Sequence, residues 1–378
     1  MAVQQYYVEI TFPNGTSPTV LSNVQSVNYS TGRERQLDQY AAARGVVTVR
    51  QPAAPSSMIV PGNVLKVFWD NPSGQDVQQV AGIISDVSVT YGIPYAGGQG
   101  PADYLTISFE GYFANLGRAN GGDYAMPASD ISTQAGLATA ASGSQVAWSS
   151  GGFFPVPQMA ATTVSGTWGD WVNAALISVN GRMRDGFNAV FMFSPYYKQA
   201  AAINFSDTTN DATNQVYDQI TFDSMADNYY TQVTVDPESF AEQTASSGSA
   251  PYRTYTVNTL NASTGQALDY ANYLLGNYNT RDLEISSISC LANAQNAFRL
   301  YDLTGTTAGT LSPGNSTAAQ ISVAFRGTTY QCVVEGVSFS ATPGEARYTY
   351  YVSGADLNAY LILDDATFGR LDFNRLGY

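Results

Sequence analysis

Carboxylates are the residues best equipped for chemistry in this 378-residue chain, because it contains no histidine. That absence removes Ser-His-Asp and Cys-His nucleophilic catalysis, His-ligated zinc and the commonest general base together. Cys290 and Cys332, its two cysteines, are too few for a four-cysteine zinc site, and neither Lys66 nor Lys198 follows a Gly-rich phosphate loop. What stays open is acid and base work by paired Asp or Glu, as in glycoside hydrolysis. Asp207 with Asp211, Asp223 with Asp227, and Asp364 with Asp365 lie close in sequence. Among thirty acidic residues such neighbours arise in ordinary solvated turns, so the chain reads as a non-enzyme. "DNPSGQD" (70–76) misses the spacing of a calcium loop and reads as a hairpin turn, while "SDTTNDATN" (206–214) has oxygen ligands that could bind calcium but reads as a capped or looped linker. No metal or cofactor is expected.

One stretch concentrates charge in a chain that otherwise avoids it. Charged residues make up 12 % of the sequence, about half the usual share. Yet "TGRERQLDQY" (31–40) packs Arg33, Glu34, Arg35 and Asp38 together, with Tyr40 just beyond. Arginine pairs with carboxylates bidentately, and alternating signs set register between surfaces more than they add affinity. A surface loop paired with itself, worth about 1 kcal/mol at most, is the plainer reading.

The elements that must position this stretch are strands. Period-two alternation runs through "YYVEITF", "VQSVNYS", "GVVTVRQ", "VLKVFWD", "QQVAGIISDVSVTYG" and "DYLTISFEGYF". It returns in "VYDQITFD", "YYTQVTVD", "RTYTVN", "LEISSISCL", "AQISVAFRG", "TYQCVVEGVSFS" and "ARYTYYVSG". Cys290 and Cys332 continue apolar faces of that pattern, which favours buried free thiols over a disulfide. Helical spacing places Trp168, Trp171, Ala175 and Leu176 on one side of a segment stopped by Gly181. A second helix carries Leu268, Ala271, Leu274 and Leu275, with Ser263 or Thr264 as cap and Gly276 as its end; a weaker one runs from Ile131 to about Ala141. Residues 117–166 shift toward Gly, Ala, Ser and Pro, marking a boundary, while 241–252 and 304–317 read as loops.

The formal net charge is −14 with only two lysines, which argues against gripping nucleic acid. No run approaches the ~18 apolar residues of a membrane span. The opening "MAVQQYYVEITF" alternates from its start, so no targeting signal is expected, and five Asn-x-Ser/Thr matches follow from composition.

An internal echo organises the rest. Val80-x-Gly82, Thr90-Tyr91-Gly92 and a strand from Tyr104 to Gly111 are followed later by Val334-x-Gly336, Thr342-Pro343-Gly344 and a strand from Tyr348 to Gly354. The expected fold is mainly β with minor α: two β-barrel-like units plus small inserted α/β domains. The boundaries read as 1–118 for the first, 119–205 for an insert, and 206–378 for the second with a helix-containing insertion around 240–310.

The runs "GRERQLDQYAAARGVVTVRQ", "PGNVLKVFW", "VAGIISDVSVTYG" and "ADYLTISFEGYFANLGRA" resemble the N-terminal part of tail-tip hub proteins, also called minor tail proteins, of long-tailed bacteriophages. "YDQITFDSMADNYYTQVTVD", "QALDYANYLLGNYNTRDLEISSIS" and the ending "LILDDATFGRLDFNRLGY" fit the same family. The resemblance implies two tube-like β-barrel domains per chain and a homo-oligomer, a trimer, whose ring continues the sixfold tail tube. It also brings neighbouring subunits into contact, and so implies that Arg33, Glu34, Arg35, Asp38 and Tyr40 lie at a subunit interface. It implies a structural protein of the virion tail tip, assembled in the bacterial host cytoplasm. The distal tail protein, the tape measure protein and tail fibre or tip proteins are its implied partners, with DNA passing through unbound along an acidic wall. A hexameric distal tail protein and a carbohydrate-binding or carbohydrate-cleaving tail module stay open as alternatives.

Overall fold

Alternating side chains give a mainly β molecule with four helices among the described residues. The computed structural model describes residues 6–12, 18–21, 23–50, 59–69, 77–93, 102–149, 156–186, 189–194, 199–200, 204–211, 213–224, 228–279, 283–292, 296, 300, 303 and 318–354. The first set of strands is β1 (Tyr6–Thr11), β2 (Thr19–Leu21), β3 (Val24–Gly32), β4 (Arg44–Arg50), β5 (Val64–Trp69), β6 (Val77–Thr90) and β7 (Tyr104–Glu110). They pair in the order β2-β1-β5-β6-β7-β4-β3, antiparallel throughout. In β4 the pleat sends Val47 and Val49 inward and Arg44, Val46 and Arg50 to solvent.

An insert follows: α1 (Phe113–Arg118), β8 (Tyr124–Met126), β9 (Ser129–Asp130), α2 (Ile131–Ser142), β10 (Val146–Ser149), β11 (Gln158–Met159), β12 (Thr162–Val164), α3 (Trp168–Ser178), β13 (Arg182–Asp185) and β14 (Val190–Phe193). Its own core gathers Ile131, Trp168, Trp171, Leu176 and Met183. Helix α3 lies where spacing predicts it. Thr167 and Asp170 form a reciprocal capping box at its start, and the Gly181 N–H bonds to the Leu176 carbonyl at 2.7 Å at its end. Asp130 caps α2 by accepting from the Thr133 N–H at 2.9 Å. Helix α1 is too short to leave a periodic trace in the sequence.

The chain then returns to the sheet through β15 (Gln199–Ala200), β16 (Asn204–Ser206), β17 (Asn214–Val216) and β18 (Gln219–Asp223). A second insert comprises β19 (Gln232–Pro237), β20 (Gln243–Ser246), β21 (Thr254–Thr259) and α4 (Thr264–Tyr278). Two expectations change here. Helix α4 runs through Gly276 to Tyr278, and it buries Ala267, Ala271, Leu274 and Leu275, leaving Leu268 39 % exposed. The small Ala267 lets the helix sit close on Val233 and Val235, which turns Leu268 to solvent. Part of the expected loop at 241–252 is strand β20, held by β19.

Strands β22 (Glu284–Ala292), β23 (Ala319–Phe325), β24 (Thr328–Thr342) and β25 (Glu345–Gly354) complete the chain. The order β18-β22-β25-β24-β23 repeats β3-β4-β7-β6-β5 strand for strand, every pair antiparallel. Finer details coincide. Against its hairpin partner, β6 slips register between Ile84 and Asp86, and β24 slips between Val334 and Gly336. Gly62 and Ala318, at φ of 93° and 69°, each donate an N–H at 2.8 Å to the carbonyl just before the slip, on Ile84 and Val334. The echo is therefore structural, with one correction. Gly111 and Gly354 are equivalent, but Gly336 corresponds to Asp86 and not to Gly82. The two glycines solve different problems: a Cβ at 82 would meet the Phe109 ring, whereas one at 336 would meet the backbone of residues 31–33.

Strand β24 also pairs with β3, from Gly336 opposite Gly32 to Ala341 opposite Val27. This joint fuses both sets into one 15-stranded sheet with one continuous core, where Tyr6 meets Phe339 at 5.4 Å between ring centroids. Among the described residues the two barrel-like strand sets do not close on themselves. The edge of β3 that a closing strand would need is occupied by β24.

Gly32 sits at the end of the joint with φ +84°, and a Cβ there would come within 2.4 Å of the Glu335 carbonyl oxygen. Gly32→Ala is expected to cost at least about 1–2 kcal/mol, from left-handed strain plus forced separation of the strands. A lowered urea midpoint with unchanged slope would register it.

Candidate functional site

Each part of the chain sends one residue to a single buried point. Arg33 follows β3, Arg182 opens β13 of the first insert, and Glu335 is the extra residue at the β24 slip. A bulge re-aims its side chain, and here it turns a carboxylate into the interior. Arg33 Nε donates to Glu335 Oε2 at 3.0 Å, and Arg182 Nε donates to Oε1 at 3.1 Å. Ser353 on β25 donates its hydroxyl to Oε1 at 2.6 Å. Arg33 Nη2 lies 2.9 Å from Oε2 but off the hydrogen-bond axis, so Nε carries the directional bond. Glu335 is 0 % exposed, Arg182 5 % and Arg33 9 %.

Two guanidiniums face one carboxylate, so excess positive charge must be absorbed locally. The Tyr40 ring lies 4.6 Å from Arg33 Cζ and offers its negative face. The Asp38 carbonyl accepts from Arg33 Nη1 at 3.4 Å. Burial alone would raise the Glu335 carboxyl, but Arg182 and Arg33 override it and hold the group down to about 2. Stability from this carboxylate is therefore present above pH ~4.5 and lost as pH falls toward 2, about 3 kcal/mol in order of magnitude. Acid titration followed by circular dichroism should show that loss, and Glu335→Gln should flatten it.

The charge-dense stretch thus divides between inside and outside. Arg33 and Tyr40, two of the residues expected at a subunit interface, are buried within the chain, Arg33 bonded to Glu335 and Tyr40 with its ring against the Arg33 guanidinium. Glu34 and Asp38 are exposed. Arg35 is half-exposed beside Asp223 of β18 at 3.5 Å, and its N–H bonds to Asp38 Oδ2 at 3.0 Å. Sequence reasoning missed Arg182 and Glu335. Their signal was in "CVVEGVSF", where a carboxylate interrupts an apolar run and so demands a buried partner.

A second buried carboxylate pins the first insert to the sheet. Asp185 of β13 accepts from the Ala43 N–H at 2.9 Å through Oδ2 and from the Phe113 N–H at 2.8 Å through Oδ1. Burial pushes its carboxyl up to about 7, with the backbone N–H groups of Ala43, Phe113 and Tyr112 opposing.

The carboxylates considered for acid and base chemistry have other duties. Asp207 Oδ2 accepts from the Arg326 N–H at 2.7 Å, and Asp211 Oδ1 accepts from the N–H groups of Thr213 and Asn214, closing a turn. Asp227, Asp364, Asp365 and residues 70–76 and 304–317 lie outside the described residues. A cleft of about 400 Å³ between the two inserts is lined by Asp170, Trp171, Asp236, Glu238 and Thr259. Asp170 is held in the α3 capping box, Glu238 accepts from the Thr162 hydroxyl, and Trp171 is too buried to offer a ring platform to a sugar. Cys290 and Cys332 are free and buried, and burial pushes the Cys332 thiol up to about 12.

The sequence matches no protein-family model and no curated protein. Solved structures match along nearly the whole chain. A prophage MuSo2 tail protein from Shewanella oneidensis superposes with a TM-score of 0.61 at 9 % identity, covering 93 % of this chain and 98 % of its own. A tail protein from Neisseria meningitidis MC58 gives 0.61 at 12 % identity, covering 92 % and 96 %. An E. coli component of the type VI secretion system, described as similar in structure to the T4 tail proteins gp27 and gp5, gives 0.51 at 10 % identity, covering 92 % and 77 %. The chain has the fold of these tail proteins.

Proposed function

We propose that this chain is a structural subunit of a phage tail-tip or baseplate hub, forming a ring that continues the tail tube and docks tail-tip partners around a DNA channel. One observation carries the reading: a five-strand sheet occurs twice in the same order, and its copies are joined edge to edge by β24 and β3. A subunit with two equivalent sheets offers six from three copies, which lets a trimer mate with a sixfold tube. The distal tail protein, the tape measure protein and tail fibre or tip proteins are the proposed neighbours, and the virion tail tip the proposed location. The role is structural and needs no cofactor; the net charge of −14 suits a wall past which DNA slides. The units proposed to do this are residues 1–118 and 206–378, with the inserts projecting from the ring.

Mass by size-exclusion light scattering tests it directly. Three copies are expected; six would favour a distal tail role, and a single copy at all concentrations would reject the ring. Because Arg33 belongs to the interior, surface contributions are read from Glu34→Ala with Arg35→Ala. That double variant is expected to weaken assembly while leaving the β-rich circular dichroism spectrum intact.

A further inference from the structure

We propose that copies of this chain join by strand addition, β18 of one against the C-terminal half of β6 of the next, in the register that β3 and β24 already use within the chain. The proposal rests on the ring reading above and identifies the surface that would build it.

The duplication supplies the argument. Inside the chain, β24 uses one edge for β25 along its length and offers the other, from Gly336 to Ala341, to β3. The equivalent edge of β6 begins at Asp86. Strand β5 ends its pairing at Ile83, and no strand among the described residues covers β6 beyond it. The equivalent of β3 is β18, which among the described residues pairs only with β22. One chain therefore carries one complete joint and both halves of a second, open among the described residues.

Transferring the register gives named contacts. Ser340 opposite Asn28 becomes Thr90 opposite Thr221; Phe339 opposite Tyr29 becomes Val89 opposite Phe222; Ala341 opposite Val27 becomes Tyr91 opposite Ile220. The chemistry of each face agrees. At the complete joint Phe339, Tyr29, Ala341 and Val27 are inward and at most 6 % exposed, while Ser340 and Asn28 face solvent. At the open edges Val89, Phe222 and Ile220 pack only partly against the same core, Tyr91 is 68 % exposed, and Thr90 and Thr221 face solvent.

Joining the edges would bury the apolar row and pair backbone groups that no strand among the described residues pairs, as open edges invite. The two edges differ, so the contact is head-to-tail, and it closes into a ring if the rotation per copy allows. A second copy is the occupant because the matching edge is on this chain. Arg35 beside Asp223 places the charge-dense stretch at the rim of the same joint.

Thr90→Cys and Thr221→Cys in the full chain test this with a short bis-maleimide, since the native thiols are buried. A mixture of the two single variants is expected to give a covalent dimer, the double variant a ladder of multimers, and neither single variant alone either product. If light scattering finds a multi-copy assembly yet the mixed singles do not link, the joint is wrong while the ring stands. A single copy by mass would overturn both, and a link confined within one chain of the double variant would overturn the joint.

Discussion

Glu335→Ala is expected to destabilise the protein by about 3–5 kcal/mol, enough to unfold much of a marginal chain at 37 °C. The substitution removes the acceptor for Arg33 Nε, Arg182 Nε and the Ser353 hydroxyl at once, and takes away the buried carboxylate that offsets two buried guanidiniums. Losing a partner is what costs. Replacing Arg33, Arg182 and Glu335 together with methionine removes the uncompensated charge and is expected to recover most of the loss. Urea denaturation of the single and triple variants compares the two, and a single variant within about 1 kcal/mol of the parent would show that water reaches the site.

Asp185→Ala is expected to cost about 2–5 kcal/mol, because it orphans two buried backbone donors, on Ala43 and Phe113. Its pH behaviour has the opposite sign to that of Glu335. With a folded value raised to about 7 by burial, the stability Asp185 contributes is full below pH ~4 and lost as pH rises through 7. Asp185→Asn keeps a neutral group of the same shape, so its stability should stay level over that range while the parent declines. Thermal unfolding at pH 5 and pH 8 measures the difference, and parallel profiles would mean that the carboxyl is ionised in the fold. Together the two groups place maximum stability near pH 4–5.

Much of the scaffold was legible because it rests on local rules. Period-two alternation marked the strands, and the stripe of Trp168, Trp171, Ala175 and Leu176 with its stop at Gly181 marked α3. The duplication was visible too, but in the wrong register, since glycines look alike in sequence whether they admit a ring, as Gly82 does, or a facing backbone, as Gly336 does. The buried charges were not legible as a group. Arg33 and Glu335 are 302 residues apart and Arg182 and Glu335 153, and only pairing of β3 with β24 brings Arg33 and Glu335 together. Within "TGRERQLDQY", Arg33 and Tyr40 turn inward for the same reason: a charge cluster does not say which of its members finds a partner elsewhere.

That shared carboxylate also limits how the chain can be cut or recombined. A fragment carrying the first strand set alone brings Arg33 without its anion, the isolated insert brings Arg182 without one, and the C-terminal part brings a buried anion with no counterion. Swapping in a foreign insert that lacks an arginine at position 182 alters the electrostatics of both neighbouring segments, so exchange of these modules between relatives is constrained at one atom group far from any surface.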